Sequence, residues 1–227
     1  MVIKLLTKVI NKLIIGPRRY AKKNDYDAER YWQDRFDKHG DSIVGVGDEG
    51  LDEASNQEVY EAAAKQFKRV LRDKRINLSK ARILDAGCGN GFYAGSLLSQ
   101  GAKNYQGVDI TDALFPKLIK SFPKFKFTKL DISSVNINEK FDLIICIDVI
   151  EHIVNQNKFN FTIKNLLGSL GPGGILMLSP IMKKSKKRLF YLRSWSLNDV
   201  QPLLGDNAQY ELREYRNKEM IIIKNRT

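Results

Sequence analysis

The chain has 227 residues, 43% of them hydrophobic and 28% charged, which suits one packed core and excludes a disordered or fibrous protein. A formal net charge of +12 points to an anionic partner, such as a phosphate-rich substrate, nucleic acid or an acidic membrane surface. A solvated, lysine-rich surface is the alternative. Cys88 and Cys146 fall in expected core segments without CxxC spacing, which argues against a disulfide framework or structural zinc and suits a reducing cytosol.

The N-terminal stretch "MVIKLLTKVINKLIIGPRRYAKK" places Lys4, Lys8 and Lys12 at four-residue spacing among aliphatic side chains. This predicts a basic amphipathic helix within residues 1–23, stopped by Gly16-Pro17 and trailed by Arg18, Arg19, Lys22 and Lys23. It is too short and too regularly charged to span a bilayer, and it lacks a small-residue cleavage site. The expectation is peripheral contact with the inner face of the membrane from the cytoplasm. Packing on its own domain or on another chain is the alternative.

Residues 24–53 read as a lid, with charge and aromatic rings at helical spacing up to Gly40 and then an acidic, glycine-rich loop. A core over residues 54–227 follows. It opens with a helix over 54–75 that presents Val59, Ala63, Phe67, Val70 and Leu71 on one face. Strands at 82–86, 105–109, 125–130, 141–147 and 174–179 alternate with helices after Gly91, near 112–120 and near 156–169. A helix near 196–204 leads to strands at 209–215 and 218–224, separated by Arg216-Asn217. Alternating β and α predicts a doubly wound, mostly parallel sheet, and the two-residue link predicts an antiparallel last strand.

In such a sheet ligands bind beyond the C-terminal strand ends. The first strand runs into Gly87-x-Gly89-x-Gly91, where the chain can turn sharply and a ligand can approach closely. The second ends at Asp109, an acid that can accept both hydroxyls of a ribose. The third ends at Asp131, where a carboxylate can accept from an adenine amine. The spacing is not the G-x-G-x-x-G of dinucleotide sites, and Asp85 inside the turn would repel a pyrophosphate while suiting an ammonium group.

In this order "ILDAGCGNG", "GVDIT", "KLDIS", "FDLIICIDVIEHI" and "LLGSLGPGGILMLSP" resemble the class I S-adenosylmethionine-dependent methyltransferases, over about residues 60–224. The resemblance implies a seven-stranded Rossmann-like sheet. It also implies that Gly87, Cys88 and Gly89 lie against the methionine part and that Asp109 holds the ribose. Ile110 would flank the adenine, Asp131 and Ile132 would contact the base, and Ile147 would lie near the sulfur.

Asp148-Val-Ile-Glu151-His152 resembles the acid-x-x-Glu-His segment of ubiquinone-pathway O-methyltransferases and small-RNA 2′-O-methyltransferases, where it binds a divalent metal. Here the first acid is Asp, and Tyr191 stands where the RNA enzymes carry a further His. A metal, a general base at His152 and a structural histidine are the open readings, with Glu151 a further candidate catalytic residue; His39 on the lid is a second candidate base. The basic, aromatic stretch "MKKSKKRLFYLRSWS" marks the acceptor side. Together these features predict O-methylation of a small, glycan or lipid-linked anionic acceptor. An RNA methyltransferase and a non-catalytic cofactor-binding scaffold are the alternatives, nucleic acid being disfavoured by the lack of an added RNA-binding module.

Overall fold

The structure, a computed structural model, describes residues 11–48, 50–206 and 208–225. Seven strands form the central sheet: β1 (Arg82–Ala86), β2 (Asn104–Asp109), β3 (Lys126–Lys129), β4 (Phe141–Ile147), β5 (Leu170–Ile181), β6 (Ala208–Tyr215) and β7 (Lys218–Asn225). Their order is β6-β7-β5-β4-β1-β2-β3, with β7 antiparallel to both of its neighbours. Arg216 and Asn217 adopt φ of 51° and 58°, the two left-handed residues that a tight hairpin of this twist requires. The doubly wound sheet and its antiparallel last strand are as the sequence predicts.

The helices are α1 (Ala28–His39), α2 (Glu53–Asp73), α3 (Phe92–Leu98), α4 (Phe115–Ser121) and α5 (Gln156–Gly168). Because successive strand residues face opposite ways, β4 feeds two cores. Leu143 and Ile145 pack with Phe67 and Val70 of α2 on one face. Ile144 and Cys146 pack with Phe159 and Ile163 of α5 on the other. Strands covered on both faces read as continuous apolar runs, which is why β4 is legible as "FDLIICI".

Four expectations need correction. Gly16-Pro17 does not end a helix: Gly16–Tyr20 is itself helical, with the proline in its first turn, where a missing N–H costs nothing. The preceding turn Asn11–Ile15 is π-helical, and the rest of the predicted amphipathic helix lies outside the described residues. The 41–53 loop contains a helical turn, Ile43–Val46, because the buried Arg35 satisfies carbonyls there: it donates to Val44, Gly45 and Gly47 oxygens at 3.2, 2.7 and 2.7 Å. On α2 it is Tyr60 that is buried, with Val59 only half-buried. The stretch after β5 forms a two-stranded ladder, Lys186–Leu189 with Leu192–Ser194, and the helix expected near 196–204 shrinks to Leu197–Val200 plus a 3-10 turn.

β1 sits at the switch point of the winding, between β2 and β4. Both chain crossovers leave its C-terminal end uncovered, and a cleft opens there.

Candidate active site

A cavity with about 1020 Å³ of empty space, continuous with solvent, lies over the C-terminal ends of β1, β2 and β4. Its floor is the glycine turn. Gly87 and Cys88 N–H groups both donate to the Val108 oxygen, at 2.7 and 3.0 Å, which ties the turn to β2. Gly87 has φ of +86°, and a Cβ there would fall 2.2 Å from Val149 Cγ2; at Gly89 (φ +50°) it would fall 3.1 Å from Val46 Cγ1. Gly91 serves packing instead, since a Cβ there would strike Leu118 of α4 at 2.5 Å.

Asp109 ends β2 on the cavity wall. Its carboxylate accepts from the Gly89 N–H at 3.0 Å and the Thr111 N–H at 3.3 Å, and burial holds its pKa up at about 6. Asp131 also lines the cavity, with its oxygens bound to serines: Ser133 N–H and hydroxyl at 2.9 and 2.6 Å, Ser134 hydroxyl at 2.8 Å. Cys88, Ile110, Ile132 and Ile147 complete this side. Asp85 lies one layer beneath. It is 2% exposed, accepts from the Tyr105 hydroxyl at 2.7 Å, is raised to about 7 by burial, and is not among the cavity-lining residues.

The three candidate catalytic residues separate. His152 reaches the cavity. Its Nδ1 is 3.1 Å from the Tyr191 carbonyl oxygen, and its ring meets Trp32 edge-on at 4.9 Å and stacks on Tyr191 at 6.0 Å. A carbonyl only accepts, so Nδ1 carries the proton. Burial, with Arg35 and Lys218 adding repulsion, lowers the His152 pKa to about 4, which leaves Nε2 bare at neutral pH. Glu151, in the 3-10 turn Ile150–His152, is buried off the cavity and raised to about 8, first by burial and then by Asp148. His39, at the end of α1, is also off the cavity lining. Asp148 lines the cavity with φ of 59°, its carboxylate paired with Arg216. Among the described residues no three His, Cys, Asp or Glu side chains are grouped to hold a metal ion.

The lid closes one side through Trp32, Phe36 and Val46, and the strap before α1 contributes Asp25 and Tyr26. Trp32 and Tyr26 are cavity residues, whereas Tyr31 stacks on Tyr191 at 4.9 Å. Sequence reading missed Val46, Tyr60 and Lys158. The apolar "IVGV" amid polar loop residues was the available signal for Val46. Nothing local signals the other two.

A family model described as a methyltransferase domain matches residues 56–211. A ubiquinone biosynthesis O-methyltransferase of Rickettsia typhi is 30% identical over 163 residues, 65% of this chain and 64% of that one. The corresponding protein of Rickettsia canadensis is 33% identical over 151 residues, 60% of this chain and 61% of that one. The chain thus spans less than two thirds of the length of these relatives. Among solved structures, a magnesium protoporphyrin IX methyltransferase from Synechocystis PCC 6803 aligns with a TM-score of 0.61 at 20% identity, over 88% of this chain and 98% of that one. A methyltransferase from Clostridium acetobutylicum aligns with 0.59 at 17%, over 74% and 92%. These likenesses are of fold, and the domain match covers more than half of the sequence. The chain belongs to the class I S-adenosylmethionine-dependent methyltransferases.

Proposed function

We propose that the chain methylates a hydroxyl oxygen on a small or lipid-linked anionic acceptor, with His152 as the base. The observation that carries this reading is the 3.1 Å contact between His152 Nδ1 and the Tyr191 carbonyl oxygen, on a side chain that lines the cavity. An imidazole kept neutral, oriented by a carbonyl on Nδ1 and bare at Nε2 on a cavity wall, can take the proton of an acceptor hydroxyl. Trp32 and Tyr191 fix the ring plane. Neither Glu151 nor His39 has that access.

The cavity residues fit S-adenosylmethionine. Gly87 and Gly89 expose backbone where a Cβ would fill the cradle. The Asp109 carboxylate accepts from the Gly89 and Thr111 N–H groups, and with about four lone-pair sites it retains capacity for ribose hydroxyls. Ile110 and Ile132 offer flat apolar contact for a purine, with Asp131 beside them. When bound, the cofactor supplies a methyl group made electrophilic by its sulfonium. What the chain adds is alignment and a proton acceptor.

Lys158 on the cavity wall is already paired with Asp25 at 2.8 Å, so support for an anionic acceptor comes from the ladder after β5. The basic ladder with Lys186, Lys187, Arg188 and Arg193 is held beside the base through the Tyr191 carbonyl. A membrane setting is supported by the exposed Leu13, Ile14 and Ile15, and by Tyr20, which stacks on Phe190 at 6.3 Å and so joins the N-terminal segment to that ladder. The relatives' names support oxygen as the methylated atom.

The test offers methyl-labelled S-adenosylmethionine with a membrane lipid extract, with dihydroxybenzoate and with total RNA. Label in the solvent-extractable fraction or in the phenol is expected; label in RNA alone overturns the reading. Removing residues 1–15 keeps Tyr20 in its aromatic cluster. The truncated protein should therefore retain its melting temperature but lose co-sedimentation with anionic vesicles. Undiminished pelleting would rule out the N-terminal helix as the membrane contact.

A further inference from the structure

Arg216 lies in the β6–β7 turn, remote in sequence from every motif that forms the cavity, yet its side chain is only 17% exposed. Its guanidinium meets two cavity-lining residues. One is Asp148 at the end of β4, whose carboxylate pairs with Arg216 Nη1. The other is Tyr60 of α2, whose ring lies 4.8 Å from the Arg216 guanidinium carbon. The turn itself is held to α2, because the Arg216 N–H donates to Gln66 Oε1 at 2.9 Å.

From each contact a short path leads to one glycine of the turn. Asp148 takes the left-handed conformation, unusual for a residue with a Cβ, and the next residue, Val149, lies directly over Gly87. The Tyr60 hydroxyl donates to the Val46 oxygen at 3.1 Å, and the Val46 side chain lies over Gly89. Two valines, one from the segment after β4 and one from the lid, thus press on two glycines, and a single guanidinium holds the residue behind each.

We propose that Arg216 is a positioning residue for the methyl donor, seating Val149 on Gly87 and Val46 on Gly89 so that the glycine turn keeps its ligand-ready shape. One charged N–H on the carboxylate and a planar face on the ring are what the site uses. Arg can pair with a carboxylate and lie over an aromatic ring at once, whereas Lys offers a single point charge.

The experiment measures S-adenosylhomocysteine affinity by calorimetry beside melting temperature. Arg216→Met is expected to weaken binding about tenfold, and Arg216→Lys to recover part of it through the Asp148 pair alone. Tyr60→Phe deletes only the hydroxyl on Val46 and should weaken binding about threefold with the melting temperature retained. In the Arg216→Met background, Tyr60→Phe should cost less than it does alone, because the two residues act on one path. A folded Arg216→Met protein with wild-type affinity overturns the proposal. If that variant does not fold, Tyr60→Phe with unchanged affinity overturns the lid branch, and Asp148→Asn with unchanged affinity overturns the strand branch. Wild-type binding is the reference throughout, so a failure of the acceptor assignment leaves this test intact.

Discussion

His152→Asn should lower turnover by about 10²- to 10⁴-fold, the range that a positioned proton acceptor contributes, while S-adenosylhomocysteine affinity stays near wild type. Asparagine can still donate an amide N–H toward the Tyr191 carbonyl, so the Tyr191 contact survives and only the bare ring nitrogen is lost. The pH profile carries a second signature. With the His152 pKa held at about 4, the base remains unprotonated down to mildly acid pH. At saturating methyl donor, where protonation of Asp109 does not limit the rate, turnover should therefore not fall as pH passes through 6.5, where an unperturbed histidine would begin to lose its lone pair. An acid limb centred near 6.5 would contradict the assigned environment.

The same shift has a stability consequence with a definite sign. The folded pKa of about 4 lies below the ordinary 6.5, so between those values the unfolded chain binds the extra proton. His152 thus costs stability progressively as pH falls from about 6.5 towards 4. The melting temperature of His152→Asn, which has no such proton to bind, should fall less steeply over that window. Thermal unfolding of both proteins across it is the check.

Asp109→Asn should weaken S-adenosylhomocysteine binding by about one to two orders of magnitude, as expected where hydrogen bonds to a charged acceptor are lost. The variant should also melt higher than wild type at pH 8. The Asp109 carboxyl is raised from its usual 3.8 to about 6 by burial, so its contribution to stability is present at low pH and lost as pH rises through about 6. At pH 8 the native protein holds a half-buried anion that asparagine removes. The gain should shrink at pH 5, where the wild-type carboxyl is largely protonated. Two backbone donors, from Gly89 and Thr111, offset part of this cost in the native protein. Unchanged affinity would remove Asp109 from the cofactor site.

Asp109 therefore illustrates a cofactor-site residue whose ligand-accepting charge is carried at the expense of the fold. Asp85, raised to about 7 by burial although it accepts from the Tyr105 hydroxyl, adds to the same burden without lining the cavity. Its neighbourhood with Tyr105 is a matter of two adjacent parallel strands, where Asp85 pairs in register with Gly107. Cys88 fits this corner because Gly107 leaves room: a Cβ there would fall 2.9 Å from the Cys88 sulfur.

The sequence by itself determined the parts whose causes are local. Apolar runs marked the strands, glycines at φ of +86° and +50° marked the turn, and a two-residue link marked the hairpin. Strand-end acids Asp109 and Asp131 could be placed on the cavity because a parallel sheet puts its strand ends on one side. Only the tertiary structure decided which neighbours in the chain become neighbours of the ligand. Glu151 and His152 are adjacent in sequence, yet the 3-10 turn buries one away from the cavity and brings the other to its wall. Arg216 meets Asp148 across 68 positions of chain because β7 inserts between β5 and β6 and brings the turn back to the end of β4. Periodicity and dihedral preference act over a few residues, whereas burial, charge pairing and proton affinity depend on the order in which the strands assemble.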